Sequence, residues 1–162
     1  MTRELILLRH GKAESGAGGG DRRRALTERG LRDAARAGLW LRREGLSPDH
    51  VVSSTAIRAF ATAEAACRAL GVSEDAIVQD ARIYEAGTET LLTVIRELPP
   101  AGRRVLLVGH NPGFESLAEA LSGRPAKLRT ADLACLRLEG AWRDAAPGAA
   151  VLERLVRAAD LS

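Results

Sequence analysis

A chain of 162 residues with 46% hydrophobic and 28% charged side chains has the size and make-up of one globular domain, and residues 1–162 are read as such. No apolar stretch approaches the roughly 18 residues of a membrane span. The net charge of +3, with acids interspersed and only 3% aromatics, lacks the basic stripe and stacking rings of a nucleic-acid binder. The expectation is a cytoplasmic protein that engages neither nucleic acid nor membrane, with Met1 leading straight into a strand rather than a signal sequence.

Only Lys12 and Lys127 are lysines, so 22 of the 24 basic residues are arginine, which matches the codon bias of a G+C-rich genome. A single arginine is therefore weak evidence of function. Cys67 and Cys135 lie inside apolar patterns without metal-ligand spacing and read as core residues. No metal or cofactor is implied.

In chain order, residues 5–8 form a short apolar run that reads as a buried strand. It ends at once in Arg9-His10-Gly11, a guanidinium, an imidazole and a backbone hinge. A glycine-rich loop follows at residues 16–20. Thr27 caps a helix in which Leu31, Ala34, Ala35, Gly38 and Leu39 recur at helical spacing, stopping near Gly45.

A strand at residues 50–52 leads through Ser53-Ser54-Thr55 into a second helix. Ala56, Ala59, Phe60, Ala63, Cys67 and Leu70 form its buried face, and Gly71 is its stop. His50 begins that strand with no partner motif and reads as structural. A third strand is expected at residues 76–79, a connector at 80–87 and a helix from about 89 to 98, ended by Pro99-Pro100.

A fourth strand at residues 104–108 ends in Gly109-His110-Asn111-Pro112-Gly113. Asn111 and Pro112 suit the N-cap and first position of a helix containing Leu117, Ala118 and Leu121. Two further strands are expected at 133–138 and 151–156. Strands alternating with helices predict an α/β fold, a largely parallel central sheet covered on both faces. Ligands in such sheets bind at the carboxyl ends of strands.

Two strands that end in histidine, one preceded by arginine, suit an anionic substrate. An imidazole attacks phosphorus only when neutral, and neighbouring guanidiniums both disfavour imidazolium and hold phosphate oxygens. Arg58 falls in the first turn of its helix, where a cation opposes the macrodipole unless an anion binds. Ser54 and Thr55 just before it offer hydroxyl or backbone donors. Of Arg22, Arg23 and Arg24, at most one is expected to touch substrate. Glu85 either braces the connector or supplies a proton to a leaving group.

Five segments in order carry a resemblance. They are Leu8-Arg9-His10-Gly11-Lys12-Ala13, Arg24-Ala25-Leu26-Thr27-Glu28-Arg29-Gly30, Ser53-Ser54-Thr55-Ala56-Ile57-Arg58-Ala59, Ile83-Tyr84-Glu85-Ala86 and Val108-Gly109-His110-Asn111-Pro112-Gly113. Together they resemble the histidine phosphatase superfamily, and within it the small SixA-like phosphohistidine phosphatases.

The resemblance implies a phosphoglycerate mutase-like three-layer αβα sandwich and a metal-independent phosphatase in which His10 is transiently phosphorylated. It implies that Arg9, Arg58 and His110 surround the phosphoryl group, that Glu85 stands at the position of the family's proton donor, and that Gly11, Arg24 and Asn111 help bind substrate. Ala13, and a length that leaves little room for a capping insertion, favour the SixA-like branch. That branch implies a phosphohistidine-containing protein as substrate. The alternatives are a small phosphomonoester, or a non-catalytic phosphate-binding adaptor.

Overall fold

The unbroken apolar runs at residues 5–8 and 105–108 are explained by a sheet buried on both faces. In the computed structural model, which describes residues 1–16 and 18–162, strand β1 spans Thr2–Arg9 and is followed by α1 (Glu28–Arg43), β2 (His50–Ser53) and α2 (Ile57–Leu70). Next come β3 (Ile77–Gln79), α3 (Thr88–Arg96), β4 (Arg104–Gly109), α4 (Gly113–Ser122), β5 (Leu133–Glu139) and β6 (Ala150–Val156). The sheet order is β3-β2-β4-β1-β5-β6. Strands β3, β2, β4 and β1 pair in parallel, whereas β5 runs antiparallel to both β1 and β6.

Successive residues of a strand point to opposite faces. Leu5, Leu7, Val105 and Leu107 therefore enter one core with Leu91, Leu92, Ile95, Phe114 and Leu117 of α3 and α4. Ile6, Leu8, Leu106 and Val108 enter the other with Ala37, Leu41, Ala59, Ala63 and Cys67 of α1 and α2. The result is the three-layer α/β/α sandwich expected from the sequence. Helices α1 and α2 approach closely because Gly38 has no Cβ, which would collide with the Ala66 carbonyl oxygen. Among the described residues no helix is long and apolar enough to cross a membrane.

Several boundaries move. Strand β1 starts at Thr2 because β5 pairs with it as far as Glu139. Residues 74–76 form a 3₁₀ turn, so β3 keeps only three residues. Helix α3 starts at Thr88 and stops at Arg96, so residues 97 and 98 fall outside it. The fourth helix begins at Gly113 with Pro112 as its N-cap. Asn111 is not the cap: its Oδ1, the atom a cap would use, accepts no amide among the described residues, while its side-chain amide donates to the Leu128 carbonyl (2.6 Å).

Register brings the two histidines together. In the β1–β4 ladder Arg9 faces Gly109, and the His10 amide donates to the Gly109 carbonyl (3.0 Å). The next residue on each strand is a histidine. Ser53 faces Val108 on the other side of β4, which delivers Ser54 to the same sheet edge.

Candidate active site

The His10 and His110 rings lie with centroids 5.3 Å apart, although the residues are remote in sequence. His10 Nδ1 is 2.8 Å from the Gly11 carbonyl. A carbonyl can only accept, so Nδ1 carries the proton and Nε2 keeps its lone pair. The Gly11 amide donates to Thr62 Oγ1 (3.0 Å), and that hydroxyl donates to the Arg58 carbonyl (2.7 Å). Gly11 thus has its amide and carbonyl engaged by Thr62 and His10. A Cβ on it would stand 2.7 Å from the Gly30 carbonyl oxygen, so the His10 loop lies directly on the start of α1.

His110 Nε2 is 2.7 Å from the Ser54 hydroxyl, which also accepts the Ala56 amide (3.2 Å). This hydroxyl, one of the hydroxyl or backbone donors that Ser54 and Thr55 offer, is committed to His110. Arg9 Nη1 donates to the Leu128 carbonyl (3.1 Å), the acceptor also used by Asn111. Arg58 is buried and donates through both terminal nitrogens to Asp21: Nη1 to the backbone carbonyl (2.7 Å) and Nη2 to the carboxylate (2.9 Å). Three nitrogens of this group, Arg9 Nε, Arg58 Nε and His110 Nδ1, are buried without a partner among the described residues. Buried polar groups are almost always satisfied, so such a concentration marks a place for a ligand.

A cavity of about 460 Å³ opens here, lined among others by Asp21, Arg58, Tyr84, Glu85, His110 and Asn111. Arg9 and His10 do not line it themselves; His10 adjoins it through the His110 ring. Glu85 stands on the cavity wall with a left-handed backbone (φ 54). A non-glycine residue there costs about 1 kcal/mol or more, and such strain clusters at functional sites. Arg24 is not on the wall. Its guanidinium holds Glu14 O and Asp21 Oδ1, within electrostatic reach of His10. Arg22 lies over the Tyr84 ring at 4.4 Å.

Sequence reasoning gave no role to Tyr84 or Asp21. Tyr84 stands edge-on to His110 (centroids 5.5 Å, 89°) and donates its hydroxyl to Asp21 Oδ2 (2.5 Å). The available signal was that Tyr84 is the sole tyrosine of an aromatic-poor chain, beside Glu85. Asp21 carries no such mark. Among the described residues no group of three or more His, Cys, Asp or Glu side chains is arranged to hold a metal ion.

Burial pushes the His10 pKa down to about 4 and outweighs the opposing Gly11 hydrogen bond; Arg58, Arg9 and Arg24 lower it further. Burial likewise pushes His110 down to about 3, assisted by His10, Arg58 and Arg9 and opposed by Asp21. Both rings are neutral at pH 7. Between the folded values and the ordinary 6.5 the unfolded chain binds more protons, so stability rises with pH across that window. Thermal melts should therefore show the midpoint falling as pH drops from about 6.5 toward 4, with a shallower slope in His110→Gln. Equal slopes in the two proteins would contradict this.

The sequence model of the histidine phosphatase superfamily (branch 1) matches residues 5–91. An uncharacterized protein of Mycobacterium tuberculosis is 34% identical over 156 residues, which cover 90% of this chain and 96% of the relative. A solved structure from Nakamurella multipartitia, provisionally assigned as the phosphohistidine phosphatase SixA, superposes with a TM-score of 0.85 at 30% identity, covering 97% of this chain and 96% of that one. Another from Agrobacterium tumefaciens, with the same provisional assignment, gives a TM-score of 0.80 at 31% identity over 96% of this chain and 98% of the other.

Proposed function

Because this chain belongs to the histidine phosphatase superfamily, we propose that it is a metal-independent phosphatase that works through phosphorylated His10, with phosphohistidine on a partner protein as its substrate. The observation that carries the reading is the pairing of two neutral imidazoles, 5.3 Å apart, with the unsatisfied nitrogens of Arg9, Arg58 and His110.

In the first step the His10 Nε2 lone pair forms a P–N bond as the bond from phosphorus to the leaving group breaks. The leaving group departs with that electron pair and takes up a proton from solvent. In the second step water attacks phosphorus, the P–N bond to His10 breaks, phosphate leaves, and the imidazole is restored as water's proton is lost to solvent. Arg9 and Arg58 counter the charge on the phosphoryl oxygens, and positioning with electrostatics supplies most of the rate. The Ser54 hydroxyl, donating to His110 Nε2, leaves Nδ1–H to donate to a phosphoryl oxygen.

The β3–α3 and β4–α4 connections on the cavity wall are confined to residues 80–87 and 110–112 and carry no capping insertion, which supports a protein-borne phosphohistidine. Glu85 on the wall favours a second reading, a small phosphomonoester, whose alkoxide leaving group has more need of an acid. Phosphate release should be faster from a phosphohistidine-bearing protein than from sugar or nucleoside phosphates, and unchanged by a chelator. Turnover of the small molecules alone would overturn the substrate assignment, and loss of activity with chelator would overturn metal independence.

A further inference from the structure

The hold on Arg58 is asymmetric. A guanidinium offers two bidentate edges: the end, formed by both terminal nitrogens, and the side, formed by Nε with one of them. Asp21 occupies the end of Arg58, with its carbonyl on Nη1 and its carboxylate on Nη2, while Nε is buried and unpaired. Arg9 repeats the pattern, with Nη1 tied to Leu128 and Nε free. The Asp21 carboxylate is itself fixed from two more directions, by the Tyr84 hydroxyl (2.5 Å) and Arg24 Nη1 (3.0 Å). Three successive glycines with positive φ, Gly18, Gly19 and Gly20, deliver it into the 3₁₀ turn Asp21–Arg23.

We infer that Asp21 is a positioning residue: it clasps the end of Arg58 so that the side edge is turned toward the phosphoryl group. This role rests on the phosphoryl-binding function proposed for Arg58. Without the clasp the guanidinium keeps its charge but loses the fixed direction on which bidentate recognition depends. Tyr84 extends the arrangement to His110, because the ring whose hydroxyl holds Asp21 also packs edge-on against that imidazole. The contrary possibility is that Asp21 blocks the cavity as an internal competitor for the incoming anion. The two predict opposite signs for one measurement.

Tungstate, a phosphate analogue, is the probe. Asp21→Ala should bind it about tenfold more weakly and lose a similar factor in kcat/KM. Asp21→Asn, which keeps an acceptor for Nη2, should recover part of both and serves if the alanine variant folds poorly. In an Arg58→Ala background the same change should cost less than about twofold, since the two residues act as a unit. Unchanged or tighter binding in Asp21→Ala, or an equal penalty without Arg58, would overturn the clasp. Failure of the unmodified protein to bind tungstate would instead overturn the phosphoryl site itself, and this role with it.

Discussion

His10→Ala is expected to lower turnover by at least about 10⁴-fold, because removing the proposed covalent nucleophile closes the reaction path rather than weakening it. Retention of the fold is expected with it. Among the described residues the ring's only hydrogen bond is to the adjacent Gly11 carbonyl, and the residue belongs to neither apolar core. Acid-quenched trapping with a labelled phosphodonor should give an acid-labile label on the unmodified protein and none on the variant, whose circular dichroism should be unchanged. Turnover by the variant at the normal rate would sink the mechanism.

Arg58→Ala is expected to lower kcat/KM by about 10²- to 10³-fold, the range for removing one preorganised donor from a developing anionic charge. Steady-state rates on the preferred substrate, with tungstate inhibition alongside, check it. Arg58→Lys should recover less than about a tenth of the loss, since one ammonium cannot grip Asp21 and a phosphoryl oxygen together in a fixed plane. Stability should fall little. The Asp21 side chain that Arg58 leaves behind is 46% exposed and can be hydrated in its place. A loss of less than tenfold in the alanine variant would remove Arg58 from the machinery.

The parts of the site built on strands were legible because their burial is written into the chain. Strands β1 and β4 are covered on both faces, so each appears as an unbroken apolar run whose last residues must surface at the sheet edge. The helix caps at Thr27 and Gly71 were legible for a local reason, a hydroxyl for an amide and a left-handed turn.

What was hidden depends on contacts between remote loops. The bond from Arg58 to Asp21 crosses 37 positions and ends in a glycine-rich segment where periodicity carries no signal. Asn111 has the composition of a cap, yet the helix starts one residue later than that requires, with Pro112 as its N-cap, and the Asn111 side chain is anchored on the Leu128 carbonyl. The direction in which Arg24 points was equally unreadable, because it is set by the position of Asp21.

The Thr62 hydroxyl sits between the backbones next to His10 and at Arg58, receiving the Gly11 amide and donating to the Arg58 carbonyl. A single oxygen thereby works as a common pivot. Because Thr62 and Arg58 share α2, a tilt of that helix would carry the Gly11 loop and the guanidinium together, so in the proposed mechanism reach toward phosphorus and grip on the anion would vary together. Activity resting on such a linkage would be lost as a whole when a distant change shifts either partner.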